Sequence, residues 1–302
     1  MSITPFPNGV SSFGVPVLGG GTIMTTGKIW FVDSVTGGNG NSGKDPQHAL
    51  ATIDYAIGLC TANKGDYVLV MPGHNESITS ATSLVMDVAG VTVLGLGVNQ
   101  TRPMLDFDNT AGSIEMDAAN CRLSNIVLRA SVSAVVVAIN VDANDCTVDN
   151  IETTWEETGD DFLMVVDCTA FDRITIVDNK FFGELAVAGG DTIVKIDDSH
   201  NLVMARNMLV GNANVMVSNA ATLSQTCVIV DNLIYNADTT DNSCMELSVA
   251  STGIMARNLV GSLGRAQAFS ANIDPGSMLC SENYAVNAID ETAIIFPSTT
   301  PT

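Results

Sequence analysis

The sequence predicts an all-β chain that folds as a right-handed, single-stranded parallel β-helix, a solenoid of about nine coils with an N-terminal capping helix. Three observations predict this fold. Asparagine recurs at intervals of 25 to 29 residues between positions 125 and 283, a length that suits one coil with three short strands. Apolar and polar residues alternate ahead of each asparagine, as in a strand with one buried face. Apolar residues make up 46% of the 302 positions, enough for a continuous core.

The repeat is centred on seven asparagines that we predict to stack as a ladder along the solenoid. The residues two and four positions before each asparagine are small or apolar, so we expect them to face the interior. A tight turn favours a residue that tolerates positive φ, and stacked amides can bond one another from coil to coil. We therefore expect a structural role for these side chains and no catalysis. The ladder comprises Asn125, Asn150, Asn179, Asn207, Asn232, Asn258 and Asn283.

Four segments are predicted along the chain. Residues 1–27 form an extended arm, residues 28–65 a capping strand, loop and helix, residues 66–290 the parallel β-helix, and residues 291–302 a C-terminal tail. A second strand in each coil is indicated by an aspartate that recurs within short apolar runs. These aspartates are Asp117, Asp142, Asp167 and Asp197.

The cap is predicted to hold a helix over residues 45–60. Asp45 is the expected N-cap and Pro46 the first helical residue, followed by an apolar stripe that covers the first coil. His48, on this helix, and His74, after a strand-ending Pro-Gly pair, are expected to be surface groups.

The arm contains no charged residue, three prolines and six glycines within positions 1–27. Such a segment cannot form a core by itself, so we expect it to lie on another surface. Two alternatives stay open: the arm anchors the protein to a larger particle, or it folds against its own coils. The anchoring side chains are predicted to be Phe6, Val10, Phe13, Val15, Val17 and Leu18.

Two apolar columns flank the ladder at positions expected to face outward, three residues before each asparagine and just after it. An apolar stripe several coils tall requires a cover. We predict that subunits of a homotrimer cover it, and a loop of the same chain is the alternative. The predicted interface residues are Ile176, Met204, Ile229 and Met255 in the first column and Met208, Leu233 and Leu259 in the second.

The formal net charge is −21, from 33 acidic and 12 basic residues. This charge repels nucleic-acid phosphates and anionic lipid headgroups, so neither nucleic acid nor membrane is an expected partner. The N-terminal residues lack a signal-peptide pattern, and no apolar stretch reaches 18 residues, so neither secretion nor a membrane span is expected. The seven cysteines form no CxxC pair, which favours buried, reduced thiols.

Two acidic segments are candidates for chemistry. Residues 154–161 carry four carboxylates that would hold Ca²⁺, supply a glycosidase pair, or form a solvated turn. Asp197, Asp198 and His200 are similar to the paired aspartate and histidine of β-helical polygalacturonases, but the glycines around that histidine and a following Arg-x-Lys are missing. Basic residues are scattered, so no wall is expected to join clustered acids with a base. We therefore predict no catalytic residue, no metal site and no cofactor.

The run KIWFVDSVTGGNGNSGKDPQHALATIDYAI, followed by GDYVLVMPGHNESI, resembles the N-terminal part of pectin-lyase-fold proteins of tailed bacteriophages. The opening FPNGVSSFGVPV is similar to the N-terminus of one group of these phage structural proteins. The resemblance covers the first 100 residues at the level of motifs and the remainder through the repeat. It implies a virion component with a β-helix and trimeric assembly, and it carries over no catalytic residue.

Together these observations lead us to expect a non-enzymatic virion structural protein, assembled in the host cytoplasm. The role we expect is that of a trimeric capsid decoration or cement protein anchored to capsid or other virion proteins through its arm. The alternative is a tail-associated fibre or spike that binds or depolymerises a host-surface polysaccharide.

Overall fold

The computed structural model describes residues 25–185, 190–219, 223–238, 244–247, 250–263, 273–287 and 294–296, together with residues 11–12 and 15–16. The predicted fold class is confirmed: the chain winds as a right-handed parallel β-helix with three sheets along its length. Each complete coil contributes one short strand to each sheet, and successive strands of a sheet pair in parallel except at the C-terminal end of the second sheet. The three sheets contain ten, ten and eight strands.

The N-terminal strands β1 (Ser11–Ser12) and β2 (Val15–Pro16) form a separate antiparallel pair. The first sheet of the solenoid consists of β3 (Ile29–Val32), β4 (Tyr67–Val70), β7 (Thr92–Gly95), β10 (Arg122–Ser124), β13 (Thr147–Asp149), β16 (Thr175–Val177), β19 (Val203–Ala205), β22 (Cys227–Val230), β25 (Gly253–Ala256) and β28 (Leu279–Ser281).

The second sheet consists of β5 (Asn75–Ile78), β8 (Met104–Phe107), β11 (Val127–Ala130), β14 (Glu152–Trp155), β17 (Lys180–Phe182), β20 (Met208–Gly211), β23 (Leu233–Asn236), β26 (Leu259–Ser262), β29 (Asn283–Asn287) and β30 (Ile294–Phe296), the last of which runs antiparallel to its neighbour. The third sheet consists of β6 (Leu84–Val85), β9 (Ile114–Met116), β12 (Ile139–Val141), β15 (Val166–Asp167), β18 (Gly190–Lys195), β21 (Ala213–Asn219), β24 (Met245–Leu247) and β27 (Ile273–Asp274).

The cap over the first coil contains a 3-10 helix, Pro46–His48, and a short helix α1, Ile53–Gly58. The Asp45 carboxylate caps the first of these as predicted, accepting hydrogen bonds from the backbone N–H groups of Gln47 and His48 at 3.1 and 3.0 Å. α1 buries Ile53, Ala56 and Ile57 over the end of the core. A second 3-10 turn spans Asn99–Thr101.

The single helix predicted over residues 45–60 is wrong, because the chain is extended between the two helical pieces. Leu50 is fully buried there and forms an isolated parallel bridge with Val32 of β3. Its backbone N–H donates to Phe31 O at 2.8 Å, and its carbonyl accepts from Asp33 N–H at 2.8 Å. This extended piece covers part of the free edge of the first strand, which a helix at this position would leave unpaired.

The core is built from apolar side chains that stack in register from coil to coil. Along the first sheet the register aligns one inward column through seven successive strands, and every member of the column is at most 4% exposed. This column is Leu123, Val148, Ile176, Met204, Ile229, Met255 and Cys280.

The predicted interface is wrong at four residues. Ile176, Met204, Ile229 and Met255 are 0% exposed and belong to the core, so no partner subunit can contact them. Because side chains alternate between the faces of a strand, a shift of one residue in the assumed repeat exchanges every inward and outward position. The side chains that face outward are instead those of the residues next to these four in sequence.

The shift arises at the bend between the first and second sheets. Asn125 and Asn150 occupy the bend itself, with φ of 58° and 54°. In the next coils the bend residue is the one before the asparagine, for example Asp178 with φ 59° and Arg206 with φ 56°. Aligning the chain on the letter N thus placed the first two coils one residue out of register with the rest.

The predicted arm lies almost wholly outside the described residues. Phe6, Val10, Phe13, Val17 and Leu18 are not among them. Val15 belongs to β2.

Candidate functional site

Five of the seven predicted ladder asparagines stack inside the corner between the first and second sheets. Asn179, Asn207, Asn232, Asn258 and Asn283 are at most 2% exposed. The Nδ2 of each of the first four donates to the Oδ1 of the next at 2.9 to 3.0 Å. Each of the five also donates through Nδ2 to a backbone carbonyl, at 2.8 to 3.1 Å. The ladder stabilises this corner and thereby holds the outward side chains of the two adjoining sheets in place.

Asn125 and Asn150 lie outside this buried ladder. They form a separate pair, in which Asn150 Nδ2 donates to Asn125 Oδ1 at 2.9 Å, and Asn150 is exposed. The buried position after the bend is taken in these coils by Ile126 and Ile151. Asn179 Oδ1 accepts from the Ile151 backbone N–H at 2.8 Å. The ladder therefore begins at Asn179, in the coil that follows Ile151.

Two outward apolar columns border the corner in the C-terminal half of the solenoid, and we call them together the C-terminal apolar face. On the first sheet the stacked residues are Val203, Val228, Ile254 and Leu279. On the second sheet they are Met208, Leu233, Leu259 and Tyr284. Exposure rises toward the C-terminal end, reaching 48% at Ile254 and 59% at Leu279 in the first column. Met208, Leu233 and Leu259 were predicted at the interface, whereas the alternation missed the four residues of the first column.

The charges within this face balance. Six charged side chains lie within this face, three basic and three acidic. Five of them are exposed bend residues between the two columns, and the sixth is Lys180, which precedes Met208 in the second column. Arg206 pairs with Asp178 at 2.7 Å, and Arg257 pairs with Asp231 at 2.7 Å. The remaining charges are Lys180 and Glu282. A chain with a net charge of −21 thus carries one tall apolar face of zero formal charge.

The third sheet and the residues that follow its strands carry acids instead. This acidic wall comprises Asp87, Glu115, Asp117, Asp142, Asp167 and Asp197. Lys195 is a base within it, with Nζ at 3.5 Å from Asp167 and 4.0 Å from Asp197. Clustered acids and a base therefore do share one wall, contrary to the sequence-based expectation, and the spacing of the aspartates was the signal for it.

The tightest part of the wall is the group formed by Glu115, Asp117 and Asp142, each of which presents one oxygen within 4.8 Å of the others. Burial raises the pKa of Asp117, and the neighbouring Glu115 and Asp87 raise it further. Burial likewise raises the pKa of Asp142, as does repulsion from Glu115, Asp117 and Asp167. Like charges are thus held close at a cost in free energy.

Three carboxylates suit an oxygen-ligated cation such as Ca²⁺, which takes six to eight oxygen ligands. The amide of Asn140, however, points its nitrogen at the group. Its Nδ2 donates to Glu115 Oε2 and to Asp142 Oδ2, both at 2.8 Å. A cation would fit only if this amide turned its oxygen toward the carboxylates.

The acidic insert at residues 154–161 uses its carboxylates to hold its own loop. Asp161 Oδ1 accepts from the Ala134 backbone N–H at 2.7 Å, and Asp160 Oδ2 accepts from the Glu157 backbone N–H at 3.1 Å. Glu156 lies 3.8 Å from Arg129. These contacts fit the solvated turn better than a catalytic pair.

Asp197, Asp198 and His200 also occupy a turn. Asp197 is 6% exposed and faces Lys195, while Asp198 has a φ of 53°. His200 Nε2 lies 3.9 Å from Asp198, and its Nδ1 accepts from the Gln225 backbone N–H at 3.3 Å. The two aspartates therefore face different surroundings and do not form a shared acid–base pair.

The cysteines form no disulfide in the described part of the chain, and six of the seven are buried. Burial raises the pKa of the Cys146 thiol to about 11 and that of Cys60 to about 12. Thiols that remain protonated at neutral pH are poor nucleophiles and poor metal ligands, so these side chains pack as small apolar groups.

No helix among the residues that the structure describes is long and apolar enough to cross a membrane.

Comparison with known proteins places the chain by its fold alone. No protein-family model and no curated protein matches the sequence. A solved structure described as a rhamnogalacturonan lyase is 14% identical with a TM-score of 0.59, covering 87% of this chain and 74% of its own. The pectate lyase Pel9A is 10% identical with a TM-score of 0.50, covering 87% of this chain and 78% of its own. The Escherichia coli protein ybhc is 12% identical with a TM-score of 0.50, covering 97% of this chain and 84% of its own.

The chain therefore shares the parallel β-helix fold of these solved structures. The particular structures that it resembles include lyases.

Proposed function

We propose that the protein is a non-enzymatic structural component of a tailed-bacteriophage virion, a trimeric capsid decoration protein attached through its N-terminal arm. The observation that carries the proposal is the C-terminal apolar face: two stacked apolar columns without net charge on an otherwise acidic solenoid. The virion setting is supported by the resemblance of residues 28–57 and of the opening segment to phage proteins.

Charge favours a second copy of the chain as the occupant of this face. Two copies with a charge of −21 repel wherever their acidic walls meet. At the face, by contrast, apolar contact is gained without bringing like charges together, since Arg206 and Arg257 already balance Asp178 and Asp231. Desolvating apolar surface then supplies the driving force for association.

The shape of the face fits cyclic symmetry about an axis parallel to the solenoid. Both columns run along the stacking direction, so each copy presents the same ridge to its neighbour over several coils. Closed symmetric assemblies are the usual outcome of such self-complementary or head-to-tail faces. A rigid trimer of this type, soluble through its acidic exterior, suits a component that is present in many copies.

The oligomeric state tests the proposal directly. We expect the full chain to sediment as a trimer and the double variant Leu233→Ser, Leu259→Ser to sediment as a monomer with unchanged circular dichroism. Val136→Ser is the matched control, because Val136 is 55% exposed but lies outside the face; this variant stays trimeric. A trimer that survives the double substitution would refute the role of the face.

Attachment is tested separately on purified particles. Deleting residues 1–27 leaves the trimer intact and abolishes its occupancy on the capsid. Unchanged occupancy would contradict anchoring through the arm. Copy number discriminates the head from the tail, since a decoration protein is present in hundreds of copies and a tail fibre in a few.

A second candidate function is binding or cleavage of an acidic polysaccharide, which the acidic wall favours. With the Asn140 amide turned, the group Glu115, Asp117 and Asp142 would hold a cation that bridges to a uronate, and Lys195 on the same wall would serve as the base. Two solved structures of similar fold are named as a rhamnogalacturonan lyase and a pectate lyase, and these names support this candidate.

An assay for unsaturated uronate products on polygalacturonate and rhamnogalacturonan, with and without Ca²⁺, tests this candidate. Activity that is lost in both Asp142→Asn and Lys195→Met would support it over the structural role. Absence of product together with a trimer would support the first proposal.

A further inference from the structure

His74 lies where the cap meets the first coil, and it is 1% exposed rather than at the surface. It directly precedes β5, the first strand of the second sheet. Against its ring packs the loop after β3, residues 33–36, and beyond Glu76 lies the start of α1. A buried, titratable ring thus joins three elements at one end of the solenoid.

The hydrogen bonds fix the protonation state of this ring. Its Nδ1 accepts from the Ser34 backbone N–H at 2.9 Å. Since a backbone N–H can only donate, Nδ1 carries no proton and the ring proton resides on Nε2. Nε2 lies 3.0 Å from Glu76 Oε2, and the same oxygen accepts from the Ile53 backbone N–H at 3.0 Å. The imidazole is therefore neutral in this arrangement.

Adding a second proton removes one of these contacts. A proton on Nδ1 would face the Ser34 N–H, so two donors would oppose each other and the loop would have to move away. The Nε2 contact to Glu76 survives, because the carboxylate accepts from the charged ring equally well. Protonation therefore acts on the loop and not on the helix.

The charged groups that lie around the ring belong to three elements. Glu76 faces it directly, and Asp33 in the released loop lies close enough to interact with it electrostatically. From α1, Asp54 faces the same Glu76 side chain. All of these neighbours are acidic side chains, so none of them would repel a charged ring.

We propose that His74 is an acid-sensitive latch, in which protonation of Nδ1 releases loop residues 33–36 from the first coil while the rest of the β-helix stays folded. A second tie between this loop and the first coil, from the Asn75 backbone N–H to Ser34 Oγ at 2.8 Å, is lost with it, whereas the bond from the Asp33 backbone N–H to the Leu50 carbonyl keeps the loop joined to the cap. The latch does not depend on the proposed assembly role, since it lies at the opposite end of the solenoid from the C-terminal apolar face.

Hydrogen exchange of the full chain between pH 7.5 and pH 5 tests the latch, after correction for the intrinsic pH dependence of exchange. We expect the protection of the peptide that contains Ser34 to fall about tenfold in acid, while peptides from β19 and β22 keep their protection. His74→Gln, which cannot titrate, abolishes this response. His48→Gln is the matched control: His48 is exposed and paired with Asp45, and the variant responds to acid as the wild type does.

Unchanged protection of Ser34 in the wild type, or a response that persists in His74→Gln, would overturn the proposal. If the glutamine variant loses protection at both pH values, the ¹⁵N chemical shift of the His74 ring in the wild type decides instead. An Nδ1 signal that gains its proton together with the loss of Ser34 protection supports the latch. An Nδ1 that stays unprotonated at pH 5 contradicts it.

Discussion

At the scale of single residues, the ladder explains why asparagine recurs inside the corner. Each position needs a donor toward the backbone carbonyl on one side and an acceptor for the preceding asparagine on the other. Asn232 meets both needs: Nδ2 donates to Met204 O and to Asn258 Oδ1, and Oδ1 accepts from the backbone and side-chain nitrogens of Asn207. An aspartate would lack the donor and a serine the reach, so the side chain is set by the chemistry of the site.

We expect Asn232→Ala to lower the free energy of unfolding by about 3 kcal/mol, because buried donors and acceptors on both neighbouring coils lose their partner. Asn150→Gly is the control: it removes an exposed amide with a single bond to Asn125 and tolerates the φ of 54°, so its effect stays below about 1 kcal/mol. Urea denaturation followed by circular dichroism measures both. Equal losses would show that burial of the ladder contributes little.

A residue-scale property also limited the sequence-based prediction. The period and the type of residue at the bend are visible in the sequence, but positive φ is tolerated by asparagine, aspartate, arginine and glutamate alike in this chain. Asn125, Asp178, Arg206 and Glu282 all occupy the bend. Because the letter that marks the bend changes after the second coil, the sequence alone could not distinguish an asparagine at the bend from a buried asparagine just after it.

At the scale of strands and sheets, this one-residue uncertainty decided which side chains face outward. The fold class, the parallel stacking and the second column of Met208, Leu233 and Leu259 were predictable, since they depend on the period and on the residues just after the bend. The first column was not, because alternation in a three-residue strand gives two equally regular solutions. The acidic group at Glu115 was missed for another reason. Its carboxylates come from different coils, and the sequence does not show that these outward side chains lie close together.

The corrected orientation leads to opposite expectations for two neighbouring columns. Met204→Ala removes a fully buried side chain and lowers the free energy of unfolding by about 3 kcal/mol. Leu233→Ala truncates a side chain that is 37% exposed, so we expect a change below about 1 kcal/mol in the isolated subunit together with weaker association. Denaturation and sedimentation of both variants check this. A stable but monomeric Met204→Ala protein would restore the original orientation.

The acidic wall predicts a pH dependence of its own. Burial and the neighbouring acids raise the pKa of Asp142 above its ordinary value, so the ionised group destabilises the folded state. This penalty is fully present above the raised pKa and vanishes as the pH falls below the ordinary carboxyl range. Asp142→Asn therefore raises the midpoint of thermal unfolding at pH 7, and the gain disappears near pH 3.

Asp231→Asn is the control, because the pKa of Asp231 is shifted in the opposite direction. Its hydrogen bond from Arg257 lowers its pKa, so its contribution is present at neutral pH and is lost as the pH falls through that lowered value. Asp231→Asn should leave the midpoint at pH 7 unchanged or lower it. If Asp142→Asn, like Asp231→Asn, failed to raise the midpoint of thermal unfolding at pH 7, the repulsion that we infer from the geometry would be contradicted.

At the scale of the whole molecule, charge is segregated around the solenoid. The third sheet and its flanks concentrate acids around Lys195, whereas the corner between the first and second sheets balances arginine against aspartate over several coils. The same stacking that aligns the core therefore aligns a repulsive wall and a neutral, apolar ridge on different faces of one rod. Long-range repulsion between copies and short-range apolar attraction are thereby separated in space.

This separation fixes the salt dependence of self-association. If copies meet at the C-terminal apolar face, raising NaCl from about 20 to about 300 mM shortens the Debye length and screens the repulsion between acidic walls, so association strengthens. If they met instead through arginine–aspartate pairs exchanged between subunits, the same salt would weaken association. Sedimentation equilibrium at the two concentrations distinguishes these outcomes, with Leu233→Ser, Leu259→Ser as the variant that stays monomeric in both. Association that weakens with salt would place the contact on the ion pairs and remove the apolar columns from the interface.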